Sequence, residues 1–301
     1  MLDVPVIRSE CARVAHHARC VRVREDRVRD YAAELPVLPS HPAPAVTLPD
    51  AGDEQRAAFH LMADAINFGS GWFPTLRKRD GKSGSMTVLL ALRDFCAAPD
   101  GGWSAAALAG VRADEVAGVL GQDAGHPLMA LHALHLRELG ARVARDHDGS
   151  FLTLATHPRL AHELSGWPGF ADVSLHAGRA VPFYKRAQLT AYDMACAGFV
   201  APGSEGNLTM FADNLVPHVL RVDGLLAYDS ELSADVEAGR LLLHGGRREV
   251  EIRACGLHAV ELIAACRPDL TAPGVDQLLW HRGQEPRYKA VPRHRARCEA
   301  Y

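Results

Sequence analysis

The chain has 301 residues, 48% hydrophobic and 23% charged, and 33 Lys and Arg against 36 Asp and Glu give a formal net charge of −3. That content supports a packed core and sets disorder aside. The balance of charge argues against a protein that grips a long duplex by neutralising phosphates, while a local basic pocket for one phosphate stays open.

Residues 6–34 read as an Arg-rich, half-exposed helix. Prolines crowd residues 35–50, and a residue without an N–H cannot continue a helix or a central strand, so this stretch is an extended connector with His41 its one ionisable ring. Residues 1–50 are thus expected to be a peripheral helix and a Pro-rich connector. Residues 54–67 have helical spacing, with Phe59, Met62, Ala63 and Ile66 on one side. The glycines of 69–85 suggest a tight loop or a small hairpin, and 86–98 read as a buried helix. Residues 113–121 form a short helix closed by Gly121. Residues 126–145 are the clearest amphipathic helix, with Pro127 suited to its first turn. Further helices are expected at 184–198, 208–222, 231–240, 249–267 and 274–283, and a short strand at 151–154. The breaks are short and no repeat occurs. The expectation is a mainly α fold over 1–301, one helical domain with at most a small β hairpin or sheet.

Seven cysteines, odd in number and without a CxxC, argue against a zinc framework or a secreted disulfide scaffold. The first 20 residues lack the apolar core of a signal peptide. No run of about 18 apolar residues is present to cross a bilayer. These features point to a reduced, cytoplasmic protein. His16, His17 and Cys20 lack a fourth ligand at sensible spacing, so no metal is expected. Gly81-Lys82-Ser83 ends like a phosphate-binding loop, but Leu76 stands where the earlier glycine is required.

Five segments carry residues suited to chemistry. In Phe211-Ala212-Asp213-Asn214, Asp213 precedes a helix body, where a carboxylate accepts backbone N–H bonds. It is either an ordinary cap or a holder of a two-donor base edge. Asp276 follows the helix-start signal of Thr271 and Pro273, and Trp280 lies one turn later on the same side. An acid beside an indole suits a flat base, and it also suits plain core packing. The apolar helix at 249–263 carries Glu251 and His258 on one face, and Arg253 there pairs with either an acid or a phosphate. Lys185 and Arg186 place two cations at a helix start, which an anion nearby would offset. Phe68 and Trp72 bracket a glycine loop that lets a ligand approach backbone, or they are core aromatics around a turn.

In order along the chain, these segments resemble the queuosine salvage protein family, the queuosine 5′-phosphate N-glycosylases. The resemblance runs through Ile66-Asn67-Phe68, Phe183-Tyr184-Lys185-Arg186-Ala187-Gln188 and Thr209-Met210-Phe211-Ala212-Asp213 with Val216-Pro217. It continues through Glu249 to Cys255, Ala259 to Ile263, Asp276, Leu279-Trp280, and Val291 to Cys298 before Tyr301. It is collinear from about residue 60 onward, and six weak pieces in order are specific. The resemblance implies a helical fold related to DNA glycosylases, acting on a nucleotide rather than on duplex DNA. It implies Asp276 as the catalytic aspartate and Asp213 as the acid that holds the base, with Phe68 and Phe211 in pocket-forming motifs and His41 near a pocket histidine position. His281 departs from the family pattern, which carries an acid directly after the tryptophan.

The implied reaction releases queuine from queuosine 5′-monophosphate without cofactor or metal. Breaking a ribosyl C–N bond builds positive charge on the sugar, which a carboxylate stabilises; that falls to Asp276. Queuine has a carbon where guanine has N7, so the leaving group cannot be activated by protonation there. Asp213 matches the N1–H and exocyclic amine of the base. Lys185, Arg186 and Arg253 are candidates for the 5′-phosphate, Trp280 for the base, and Glu251 for the substrate's cationic amine. No stable nucleic-acid partner and no membrane are expected. Two other readings stand beside this one: a non-catalytic binder of queuine or its nucleotide, and a glycosylase acting on a nucleic-acid base, against which the absence of a dense basic stripe counts.

Overall fold

A computed structural model describes residues 1–36, 44, 46–201, 203 and 207–301. His41 lies outside the described residues. The architecture is mainly α: fifteen α-helices and three two-stranded sheets among the described residues. The helix Arg247–Cys266 runs through the interior, and twelve of its twenty residues are buried. Its buried residues include Glu249, Glu251 and Arg253 among apolar neighbours, so these charges need partners inside the protein. Against it pack the helices Val4–His17, Val28–Glu34, Leu215–Val222 and Ala272–Arg282. A second group gathers on Pro127–Asp146, which carries Ala105–Leu108, Ala113–Leu120 and Asp53–Ala65. Lys185–Cys196 packs against Asp53–Ala65. One continuous set of buried apolar side chains joins the two groups.

Most expected helices occur, and the exceptions have physical causes. Residues 6–34 do not form one helix. Val4–His17 stops at Ala18, which is extended, and the Arg19 and Cys20 N–H groups donate to Glu251 Oε2 at 3.0 and 2.7 Å. The alternating Val21 and Val23 then pair antiparallel with Tyr228 and Leu226. The expected strand at 151–154 is instead the helix Phe151–Ala155. Its N-terminus is capped by Ser150, which accepts from Thr153 N, and by the distant Glu54, which accepts from Phe151 N and Leu152 N. Satisfied N-terminal donors override the β preference of the segment. Residues 208–213 belong to no helix or strand, and the helix begins at Leu215. The loop 69–85 holds a short 3-10 turn, Phe73–Thr75, with no hairpin. The antiparallel pair Val173–His176 and Arg179–Pro182 was not expected.

Candidate active site

The site is built outward from Arg253. Its guanidinium is fully buried and donates to Asp172 through both terminal nitrogens, at 3.0 and 2.6 Å, and to Ala212 O at 2.9 Å. Glu249 lies 3.5 Å away, and the rings of Phe183 and Tyr301 cover the guanidinium at 4.0 and 4.8 Å. Burial alone would pull its pKa down, but Asp172 and Glu249 outweigh that and hold it charged. Arg253 therefore pairs with acids. It is not on a ligand-accessible wall, which corrects its assignment as a phosphate or substrate contact.

Asp172 passes this anchor on. Its carbonyl accepts Phe183 N and Tyr184 N at 2.9 and 3.2 Å, and its Oδ2 accepts Lys185 N at 3.2 Å. Tyr184 is held at φ +48°, a left-handed conformation costly for a side chain of that size. The anion that offsets two cations at a helix start is thus the protein's own Asp172. The turn sends Lys185 and Arg186 in different directions. Lys185 Nζ donates to Asn67 O and Oδ1 at 3.0 and 2.9 Å on the wall of a cavity. Arg186 instead donates to Ala65 O and Gly169 O and lies between the rings of Phe68 and Phe170, away from that cavity.

Gln188 fixes the segment 208–213 opposite. Its Oε1 accepts Thr209 N at 2.9 Å, and its Nε2 donates to Thr209 Oγ1 and Phe183 O. So held, Phe211 N donates to Asp276 Oδ2 at 3.1 Å, which ties two motifs 65 residues apart. Asp213 Oδ1 accepts Leu215 N and Val216 N at 2.8 and 3.2 Å, as expected of an acid ahead of a helix. Asp276 sits on Ala272–Arg282, whose start is capped by the Thr271 hydroxyl accepting from Gly274 N.

Asp213, Asp276, Phe68, Phe211, Trp280 and Lys185 all line one cavity of about 670 Å³, a size that holds a nucleotide. Pro44 and Val46 line it too. Phe68 is buried edge-on against His132 and His135, with ring centroids 5.0 and 4.7 Å apart. Burial pushes the Asp276 carboxyl well above the usual range and the Asp213 charge pushes it further, against the Phe211 N–H and the Lys185 ammonium. Burial likewise pulls the Lys185 ammonium down, opposed by Asp213, Asp64 and Asp276.

Other expectations fall elsewhere. Glu251 faces Arg19 N, Cys20 N and His176, not the cavity, so it does not meet a substrate amine. His258 comes together with His16 and Glu25, whose ligand atoms lie within 4.8 Å of one another, also outside the cavity. The glycines of the Phe68 loop admit the chain's own residues: a Cβ on Gly71 would meet Ala296 O at 2.5 Å, and Gly69, at φ +109°, donates its N–H to Tyr301 O at 3.0 Å.

Sequence reasoning missed Asp64, Asp193 and Arg293 on the cavity wall. Asp193 was legible from spacing, since Lys185, Leu189 and Asp193 recur every four residues and all face the cavity. Asp64 is an acid among the buried Leu61, Met62 and Ala65, an anomaly on an apolar face.

The sequence model described as queuosine salvage protein matches residues 47–301. This chain belongs to the queuosine salvage protein family. Relatives named queuosine 5′-phosphate N-glycosylase/hydrolase include one from Mus musculus, 30% identical over 99% of both chains. One from Sphaerobacter thermophilus is 32% identical over 83% of both, and one from Bos taurus 32% identical over 66% of both. The family match spans every cavity element described above except Pro44 and Val46 at its edge.

Proposed function

We propose that this chain hydrolyses the N-glycosidic bond of queuosine 5′-monophosphate, giving queuine and ribose 5-phosphate. The observation that carries the reading is the convergence of Asp213 and Asp276 on one cavity in a member of this family. Asp213 accepts the N1–H and exocyclic amine of the base through the carboxylate lone pairs that Leu215 N and Val216 N leave free. The base lies among Phe68, Phe211 and Trp280. As the C1′–N9 bond breaks, its electron pair leaves with the base and positive charge grows on the sugar. Ionised Asp276 faces that charge, and its orientation is set by the Phe211 N–H. Water then bonds to C1′, and a water proton ends on the base nitrogen. Of the cations on the wall, which also include Lys289 and Arg295, Lys185 and Arg293 hold the 5′-phosphate. The continuous core supports treating 1–301 as one domain. No helix among the described residues is long and apolar enough to cross a membrane, and the cysteines are free thiols, which fits a reducing cytoplasm.

The test is release of free base from queuosine 5′-monophosphate, followed by chromatography with substrate in large excess over protein. Many turnovers establish hydrolysis. Stoichiometric binding without release refutes it in favour of a carrier.

A further inference from the structure

One cluster outside the cavity has no part in the chemistry above. His16 stands in the last turn of Val4–His17, Glu25 opens the 3-10 turn Glu25–Arg27, and His258 sits on the central helix Arg247–Cys266. A ligand atom of each lies within 4.8 Å of those of the other two. The His16 and His258 rings lie 5.5 Å apart between centroids, and His258 Nε2 is 3.9 Å from Glu25 Oε1, too far for a hydrogen bond. The fold brings the three together by way of Glu251. That residue shares a face of the central helix with His258 and accepts the Arg19 and Cys20 N–H groups, which turns the chain after His17. Val21–Val23 then pairs with Leu226–Tyr228, and Arg24 N donates to Leu225 O at 2.8 Å, so Glu25 is delivered at a fixed point. Two further observations suit the set to an ion. His16 Nδ1 lies 2.7 Å from Ala12 O, and a carbonyl only accepts, so this nitrogen carries the proton and Nε2 keeps the lone pair. A ring nitrogen tied to a backbone carbonyl is the usual support of a metal-binding imidazole. Among the described residues, neither the Glu25 carboxylate nor the His258 ring makes a hydrogen bond.

We propose that His16, Glu25 and His258 bind a divalent transition ion of the zinc class, which staples the N-terminal helix to the central helix. Two imidazoles and one carboxylate suit Zn²⁺ and its neighbours in the first transition row, not the all-oxygen shells of Mg²⁺ and Ca²⁺. Zinc holds nitrogen and oxygen at about 2.0–2.2 Å in a tetrahedral shell, so its ligand atoms stand about 3.3 Å apart. The three side chains therefore need to close by no more than about 1.5 Å, which rotation of the exposed His16 and Glu25 side chains supplies. Three protein ligands leave the fourth position to water. None of the three lines the cavity, and His16 and Glu25 precede the residues that the family model matches, so the site is independent of the hydrolysis proposed above. His16 has no set of ligands at local spacing because its partners come from a separate turn and from a helix near the other end of the chain.

The test is titration calorimetry of the untagged, chelator-treated full chain with Zn²⁺, and with Mg²⁺ for comparison. Wild-type protein is expected to take up one Zn²⁺ with a Kd in the micromolar range or tighter, and no Mg²⁺. His16→Ala and Glu25→Gln, both at exposed side chains, should each weaken uptake by more than about tenfold, and His17→Ala should leave it unchanged. An ion that binds the folded chain alone stabilises it, so Zn²⁺ at about a hundredfold over Kd should multiply the folding equilibrium about a hundredfold, read as a higher melting temperature that His16→Ala does not share. No uptake by wild-type protein overturns the proposal. So does uptake that either substitution leaves in place, which marks an adventitious ion only, or a wild-type melting temperature that Zn²⁺ does not raise. The wild-type titration and melt need no variant, so a variant that fails to fold does not remove the test.

Discussion

Asp193→Asn is expected to stabilise the free protein, and to do so more at high pH than at low. Burial pushes the Asp193 carboxyl from the usual 3.8 up to about 7, with the Asp64 hydrogen bond and the Lys185 ammonium working the other way. A carboxyl whose folded-state pKa lies above its unfolded value binds more protons folded than unfolded between the two. Its contribution to stability therefore falls as pH rises from about 4 to about 7, and above that the full penalty stands. At about 1.4 kcal/mol per tenfold change, the ceiling is about 4 kcal/mol, of which about 1.4 kcal/mol accrues between pH 6 and pH 8. Asp193 is only half-buried, so about 2 kcal/mol is the expected gain at pH 8, a melting temperature several degrees higher. Buried histidines such as His60 and His132, which burial holds neutral at about 4 and about 3, impose the opposite trend, with stability lost as pH falls below about 6.5. They are common to both proteins and cancel in the difference. Thermal melts of both proteins from pH 5 to pH 8 give the result directly. A variant that melts at or below the wild type at pH 8, or a gap that widens toward pH 5, refutes the account of Asp193 as a carboxyl whose charge burial penalises.

Asp276→Asn keeps an acceptor for the Phe211 N–H but removes the charge; base release should fall by at least about 10²- to 10³-fold while queuine binding, read by calorimetry, persists. Wild-type activity should decline on the acid side as pH drops through the raised pKa of Asp276, and Asp213→Asn, by removing the like charge, should move that acid limb to lower pH while raising KM; a limb that stays in place would separate the two carboxyls. Arg253→Met strands Asp172 and Glu249 without their cation and should cost about 3–5 kcal/mol in urea unfolding, against a small change for exposed Arg240→Met.

The sequence carried the helices wherever apolar spacing and local caps agree, as at Pro127–Asp146 and Ala113–Leu120. It failed where a distant side chain decides the local conformation. Glu54 caps Phe151–Ala155 from 97 residues away, and Glu251 draws Arg19 and Cys20 out of a helix from more than 230 residues away. The candidate site divided along the same line. Asp213, Asp276, Phe68, Phe211, Trp280 and Lys185 sit in local motifs, and they do share one cavity. Arg253 and Glu251 were misplaced because a charge on an apolar helix is equally consistent with a ligand and with a buried partner, and the partners Asp172 and His176 lie 75 residues or more away.

The crowding of acids on this wall suits the proposed reaction. Asp64, Asp193, Asp213 and Asp276 face the same cavity as Lys185 and Arg293, and burial raises the pKa of Asp64, Asp193 and Asp276. Such a wall is costly while empty, and it persists because the Arg253–Asp172 anchor and the Gln188–Thr209 clamp fix the backbone that carries Lys185 and Asp213. The proposed ligand relieves the cost in stages. It brings two N–H donors to Asp213. Then, only as the C–N bond breaks, it brings a cationic sugar carbon to Asp276. That last gain appears in the transition state and not before it, which is the condition for an interaction to raise rate rather than affinity. Because the base lacks N7, its departure cannot be helped by a proton there, and the positive charge stays on the sugar, where a buried carboxylate acts most strongly. Asp276→Asn, which removes that gain, should therefore silence the chemistry while base binding persists.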